Sequence, residues 1–250
     1  MERQYTCIPD FNYSDTSRFD LASYHTGGAT DAPSEYCIDT KPWRVHDQEG
    51  EKSCVGYATS SVREHYARIK RLNVELSPLF IYWFARSMDA MTFQDGGCRI
   101  INALTSLGTY GVCEEQYHKS VWGTNDDVFV APNTAAMVSA RSFLVAGFTC
   151  VPNIISIKEC LSHDNPVVAG IPVYESLETK DVNWSGIVPV PGPGEKLLGG
   201  HAIALVGYDD KTQRVKFQNS WGTGWGDKGY GYIPYEFLRT QHFDAWEIRC

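Results

Sequence analysis

The run that opens at Cys54 constrains this chain most. Val55, Ala58, Val62, Tyr66 and Ile69 recur at steps of three and four, which is the signature of one helix face. Arg63, Glu64, Arg68, Lys70 and Arg71 fall between them and are expected on the solvated side. Ser53 is placed to cap the helix start. Cys54 would then sit in the first turn, where the backbone dipole favours negative charge. A thiolate there is stabilised, so its pKa should fall. The position suits a small buried hydrophobe equally well, which is what most lone cysteines are. Gln48 lies six residues upstream, in the polar loop Gln48-Glu-Gly-Glu-Lys-Ser53.

At 250 residues the chain can form one large domain or two lobes sharing a core. A net charge of -8 gives no support to a nucleic-acid or anionic-membrane partner. No apolar run approaches membrane-spanning length. The opening Met1-Glu-Arg-Gln-Tyr5 lacks the apolar core of a signal peptide, so both secreted and cytoplasmic locations stay open. The eight cysteines, at 7, 37, 54, 98, 113, 150, 160 and 250, contain no CxxC pair. That argues against structural zinc, and no metal or other cofactor is expected. If Cys54 is a nucleophile, the other seven cannot all pair internally, so they do not settle the redox compartment.

Along the chain, residues 1–32 are polar with scattered aromatics (Tyr5, Phe11, Tyr13, Phe19, Tyr24) and end in the hinge-like Gly27-Gly28. They read as an extension joined to a body that spans 33–250. Residues 34–47 look extended. Ser77-Pro78 predicts a helix start over 78–88. Gly96-Gly97 precedes a third helix with Ile100, Ile101, Leu104 and Leu107 inward. A short helix fits Asn133 to Phe143. The period then changes, with strands expected over 144–151, 167–173, 201–208, 214–218 and 229–233. A capping box at Ser156–Glu159 marks one more helix. Helices fill the first half and strands the second, which implies an α+β protein of two lobes with a cleft between them.

His201 follows Gly199-Gly200 and begins a strand, and Asn219 ends the next. At the mouth of one hairpin the two can lie side by side. The amide of Asn219 would hold one imidazole nitrogen and leave the other for a thiol, giving a nucleophile, a base and an orienting group. His25, His46, His118, His163 and His242 have no comparable context and are expected on the surface. His65, on the first helix, fits core or surface.

These residues carry a resemblance. Asn219-Ser-Trp-Gly-Thr-Gly-Trp-Gly226 resembles the asparagine motif of the papain-like cysteine peptidases, and Gly200-His201-Ala202 with Val206-Gly207-Tyr208 resembles their histidine motif. Gln48 matches their oxyanion glutamine, and Gly96-Gly97 resembles the glycine pair lining their substrate cleft. His201 stands 147 residues after Cys54, within the range of roughly 130–150 known for such enzymes. The resemblance runs from about residue 34 to 235. It implies a helical N-terminal lobe, a barrel-like antiparallel C-terminal lobe and a monomer that cuts peptides or proteins. It also implies that Cys54 attacks, His201 acts as base and then acid, and Asn219 orients His201. Trp221 would shield that hydrogen bond, while Gln48 completes the oxyanion hole. The cysteine and histidine would rest as a thiolate–imidazolium pair.

The chain departs from the family where Glu51 and Val55 replace the usual cysteine and tryptophan around the nucleophile. The loop-bracing disulfide is therefore absent, and the form is more like bacterial or viral members. Arg99, just after the glycine pair, is expected to bias the cleft toward an acidic or polar substrate side chain, unless it points to solvent. Residues 1–32 are too short for a long inhibitory pro-domain. Their aromatics need an apolar surface, since disordered segments are usually poor in them. The extension is therefore expected to pack on the body and partly block the cleft, or else to serve as a passive strap. Two other readings share the triad: a catalytically silent binding relative, and a thiol enzyme that transamidates or deamidates.

Overall fold

The apolar stripe that opens at Cys54 becomes helix α1 (Cys54–Ile69) and buries Val55, Ala58 and Val62. The computed structural model describes residues 3, 5–8, 22–24 (backbone alone), 31–120, 127–241 and 244–250. Arg63 and Glu64, expected in solvent, are instead buried at 4% and 2% exposure. Each has partners distant in sequence. The Glu64 carboxylate accepts the Leu76 N–H at 2.8 Å and pairs with Arg68 at 2.6 Å. Arg63 Nε donates to the Phe143 carbonyl at 3.2 Å. Buried charges persist where they are paired and hydrogen-bonded in this way. Ile69, expected inward, is exposed in the last turn. Ser53 heads the helix without capping it, because its hydroxyl donates to Glu51 Oε2 at 2.9 Å.

Helix α2 (Pro78–Ser87) starts as expected: Ser77 Oγ accepts the Phe80 N–H at 3.1 Å and proline occupies the first turn. Helix α3 (Ile100–Thr109) buries Ile100, Ile101, Leu104 and Leu107. Asn133 caps α4 (Thr134–Ala140), which runs on through a tight turn to Phe143. Helix α5 (Ile154–Ser162) begins earlier than the Ser156 box implied, since Asn153 Oδ1 accepts the Ser156 N–H at 3.0 Å. Two short helices follow, α6 (Lys180–Ser185) and α7 (Tyr235–Thr240).

Eight strands form one sheet among the described residues: β1 (Ala22–Tyr24), β2 (Glu35–Cys37), β3 (Gly147–Cys150), β4 (Val167–Tyr174), β5 (Leu197–Asp209), β6 (Arg214–Gln218), β7 (Tyr230–Pro234) and β8 (Asp244–Arg249). The order is β1-β3-β8-β4-β5-β6-β7, with β2 added beside the far end of β5. Every pairing is antiparallel except β1 with β3. The helices lead and the sheet follows, so this is the α+β, two-lobed papain-like arrangement, with α1 packed against β5. No helix among the described residues is long and apolar enough to cross a membrane.

The extension packs on this body at two places. Residues 22–24 form β1, an edge strand beside β3. Residues 5–8 lie between Gly97-Cys98 and Gly199-Gly200, where Cys7 N–H donates to the Gly200 carbonyl at 2.9 Å and Ile8 N–H to the Cys98 carbonyl at 3.1 Å. Gly27-Gly28, Phe11, Tyr13, Phe19 and the side chain of Tyr24 fall outside the described residues.

Candidate active site

The β5–β6 hairpin sets the first half of the site. Ala204 pairs with Gln218, so the register carries Asn219 to a position diagonal to His201 on one face, within reach of its side chain. His201 Nε2 and Asn219 Oδ1 are 2.8 Å apart. Asn219 Oδ1 also accepts the Ser220 N–H at 2.8 Å. That oxygen is therefore an acceptor, and Nε2 of His201 carries the proton it receives. Nδ1 of His201 keeps its lone pair and, among the described residues, has no hydrogen-bond partner. The indole of Trp221 stacks on the imidazole at 4.5 Å between centroids, tilted by 28°.

The second half comes from the start of α1. The Ala202 backbone N–H, next in chain to His201, lies near the Cys54 thiol and favours its charged form. Cys54 has no exposed surface and His201 only 1%. Burial pushes the Cys54 thiol up to about 11, opposed by the Ala202 N–H. Burial likewise lowers the His201 imidazole to about 4, with the Asn219 bond opposing and the Arg3 charge assisting. In this covered arrangement burial opposes the charged form of each group, and so opposes the expected thiolate–imidazolium pair. The cause is desolvation, which disfavours each charged form.

Gln48 is 3% exposed and pinned at both ends of its amide. Nε2 donates to the Glu51 carbonyl at 2.7 Å, and Oε1 accepts from Ser220 Oγ at 2.5 Å. Backbone pairing continues this zip: Gln48 N–H donates to Ser220 O and Gly222 N–H to His46 O, both at 2.9 Å. One Nε2 hydrogen of Gln48 remains for another acceptor. Glu51, where the family places cysteine, is a buried carboxyl that burial pushes up to about 7, against the Ser53 hydrogen bond and with Asp95 and Asp127 adding to the rise. Ser220 escaped the sequence reading. Its only signal was its place beside Asn219.

Arg3 and residues 5–8 lie over this centre. The Tyr5 ring stands edge-on to His201 at 6.4 Å and to Trp221 at 6.0 Å. Cβ atoms added at Gly199, Gly97 and Gly200 would overlap the carbonyl oxygens of Tyr5, Thr6 and Cys7 respectively. The glycines of both walls are thus required by the backbone lying between them, and Gly96 lines the same apolar cavity as Cys7 and Gly200. Arg99 does not line that cavity; its guanidinium pairs with Asp89 at 2.6 Å. Its partner lies ten residues upstream, beyond local inspection. His118 and His46, expected on the surface, are buried and half-buried, while His163 is exposed. His65 is a satisfied buried histidine, with Nε2 2.8 Å from the Asp164 carbonyl. His25 and His242 fall outside the described residues.

The comparisons with known proteins agree with this geometry. The family model described as papain family cysteine protease matches residues 38–240. The chain belongs to the papain family. It is 30% identical over 205 residues to an uncharacterized peptidase C1-like protein, L477, of Acanthamoeba polyphaga mimivirus, covering 77% of this chain and 63% of that one. The chain likewise spans under two thirds of the length of the mite enzymes named Peptidase 1 that it matches. Among solved structures, xylellain, a cysteine protease from Xylella fastidiosa, superposes with a TM-score of 0.87 at 26% identity, covering 100% of this chain and 98% of that one. Procathepsin B S9 from Trypanosoma congolense shares the fold, with a TM-score of 0.73 at 17% identity, covering 97% of this chain and 85% of that one. Bacterial and viral members thus stand among the relatives, in keeping with the altered surroundings of Cys54.

Proposed function

We propose that the chain is a cysteine endopeptidase that works through an acyl-enzyme on Cys54. One observation carries the reading: His201 gives its Nε2 proton to Asn219 and, among the described residues, keeps Nδ1 unpartnered, while the N–H of the next residue, Ala202, favours the charged form of the Cys54 thiol. Nδ1 takes the thiol proton as the sulfur attacks the peptide carbonyl, then returns it to the leaving amine. Asn219 holds the imidazole in the tautomer this requires, and Trp221 covers their hydrogen bond. The developing oxyanion is met by the remaining Nε2 hydrogen of Gln48 and the Cys54 N–H. Water then releases the acyl group, with His201 again as base.

An endopeptidase is favoured because the segment from Arg3 to Ile8 passes right across the centre, from the Trp221 side to the Gly97 side. The cleft is therefore open at both ends. The same segment acts as a built-in blocker. It covers His201 and Cys54, and burial there disfavours the charged form of each. The carbonyls of residues 5–7 abut the wall glycines, so the segment lies there as a plug and not as a peptide to be cut. Removing it relieves the desolvation that raises the thiol pKa.

Mass spectrometry after treatment with a peptidyl vinyl sulfone tests the assignment, with modification expected at Cys54 alone. Iodoacetamide at pH 6 tests the blocker. Labelling of Cys54 should be slow in the intact chain and at least several-fold faster once the chain is cleaved near residue 31. First labelling at another cysteine would refute the nucleophile. Equal Cys54 rates before and after cleavage would reduce residues 3–8 to a stabilising strap.

A further inference from the structure

The blocker reports on the cleft as a ligand would. Arg3 is its outermost described residue, and its guanidinium meets three groups of the body. Nη1 is 2.7 Å from Asn183 Oδ1 and 3.2 Å from Glu178 Oε2. Its Cζ lies 4.3 Å from the centroid of the Trp221 ring. A carboxylate, an amide oxygen and an indole face are the three groups that best recognise a planar cation.

The fold holds these partners in place without Arg3. Glu178 ends the turn Glu175–Glu178 that follows β4, and Asn183 rides on α6, which Thr179 caps through the Val182 N–H. The Asn183 carbonyl accepts the Gly226 N–H at 2.8 Å, tying α6 to the glycine-rich loop after Trp221. The loop Glu175-Ser-Leu-Glu-Thr-Lys-Asp181 carries three carboxylates against one lysine, so its field also favours a cation. The ion pair is partly shielded, with side-chain exposures of 27% for Arg3 and 34% for Glu178.

We infer that Glu178, Asn183 and the face of Trp221 form a substrate subsite for an arginine or lysine side chain, which Arg3 occupies while the cleft is blocked. The inference rests on the peptidase reading above and names part of its substrate. Tyr5 sits over His201, and Arg3 is two residues away on the Trp221 side. A substrate bound in extended form advances about 3.3 Å per residue, so the subsite is in reach of a side chain about two residues from the cut bond. That side of the cut lies opposite the Gly97–Gly200 walls.

The turnover test uses the chain carrying Arg3→Ala and cleaved near residue 31, so that neither the blocker nor its arginine holds the cleft. A series of internally quenched peptides places Arg, Ala or Glu in turn at each of four positions on either side of the cut bond. At one position on one side, kcat/KM should be about tenfold higher for Arg than for Ala, a ratio within reach of a cation–π contact joined to an ion pair. Glu178→Gln should erase that ratio, and Glu178→Arg should turn the preference toward Glu. A second readout needs no turnover. Nα-acetylargininamide is titrated into the Cys54→Ala, Arg3→Ala chain while the Trp221 indole N–H is followed by NMR. The signal should shift on saturation, and fail to do so with Nα-acetylalaninamide or in the added Glu178→Gln variant. Equal rates for Arg, Ala and Glu at every position would overturn the subsite, as would an indole signal that ignores the arginine probe. An arginine-dependent shift in a chain that cleaves no peptide would instead overturn the peptidase reading and leave the subsite standing.

Discussion

Gln48 and His201 are proposed to serve one thiol, yet they are held in opposite ways. The Gln48 amide is tied at both ends, by the Glu51 carbonyl and the Ser220 hydroxyl. Among the described residues His201 is tied at one nitrogen, by Asn219. The difference follows from the work each is assigned. A donor to a developing oxyanion gains from having no freedom, because a preorganised dipole needs no reorganisation as charge develops. A group that collects and returns a proton must keep one nitrogen open. Ser220 and Asn219 are adjacent in sequence, so one short loop serves both the fixed group and the mobile proton.

The sharpest way to break this contrast is to remove the proton carrier. His201→Ala should lower kcat/KM by about 10⁴-fold or more, as loss of the base does in comparable triads, with the melting temperature largely kept. Steady-state kinetics on a generic peptide amide checks it, and near-normal turnover would end the assignment. Gln48→Ala should cost about 10²-fold in kcat with little change in KM, since the interaction forms only in the transition state. A raised KM at unchanged kcat would make Gln48 a ground-state binding residue.

Glu51 carries the fixed side's own titration. Its folded-state pKa is raised to about 7 by burial, so the folded form favours the protonated carboxyl. The stability tied to that proton is present below the ordinary carboxylate range and lost as pH rises through about 7. Glu51→Gln should remove roughly 2 kcal/mol of the fall in unfolding free energy between pH 5 and pH 8. Denaturant midpoints at the two pH values measure it, and parallel slopes in both proteins would show that Glu51 titrates normally. Ser220→Ala should be the mildest change. It frees one end of the Gln48 amide at about 1 kcal/mol, or about fivefold in kcat, and leaves the pH profile of His201 unmoved. A shifted profile would mean that the two halves of the loop are not independent.

The elements that were legible in the sequence are those whose cause is local. The Cys54 stripe, the Ser77-Pro78 start and the hairpin carrying His201 and Asn219 all rest on neighbours within a few residues, and all three form. Partners distant in sequence were not legible. Arg63 and Glu64 looked like a wet face because Phe143 and Leu76, which satisfy them, lie elsewhere in the chain. Strand β8 escaped because it runs between β3 and β4 with Asp244, Ala245 and Trp246 all buried in succession, which leaves no alternation to read. Within the site, the grip of Ser220 on Gln48 spans 172 positions, and that of Asn183 on Arg3 spans 180.

The seam between α1 and the β5–β6 hairpin also orders events in time. Cys54 leaves the ribosome early, and His201 follows 147 residues later. At about 5–20 residues per second, roughly 7–30 seconds separate the two. During that interval the nascent thiol has no base, no orienting amide and no Ser220 to set Gln48. The geometry completes only once β5 and β6 dock beside α1, and residues 5–8, which precede Cys54 in the chain, are by then already available to close over it.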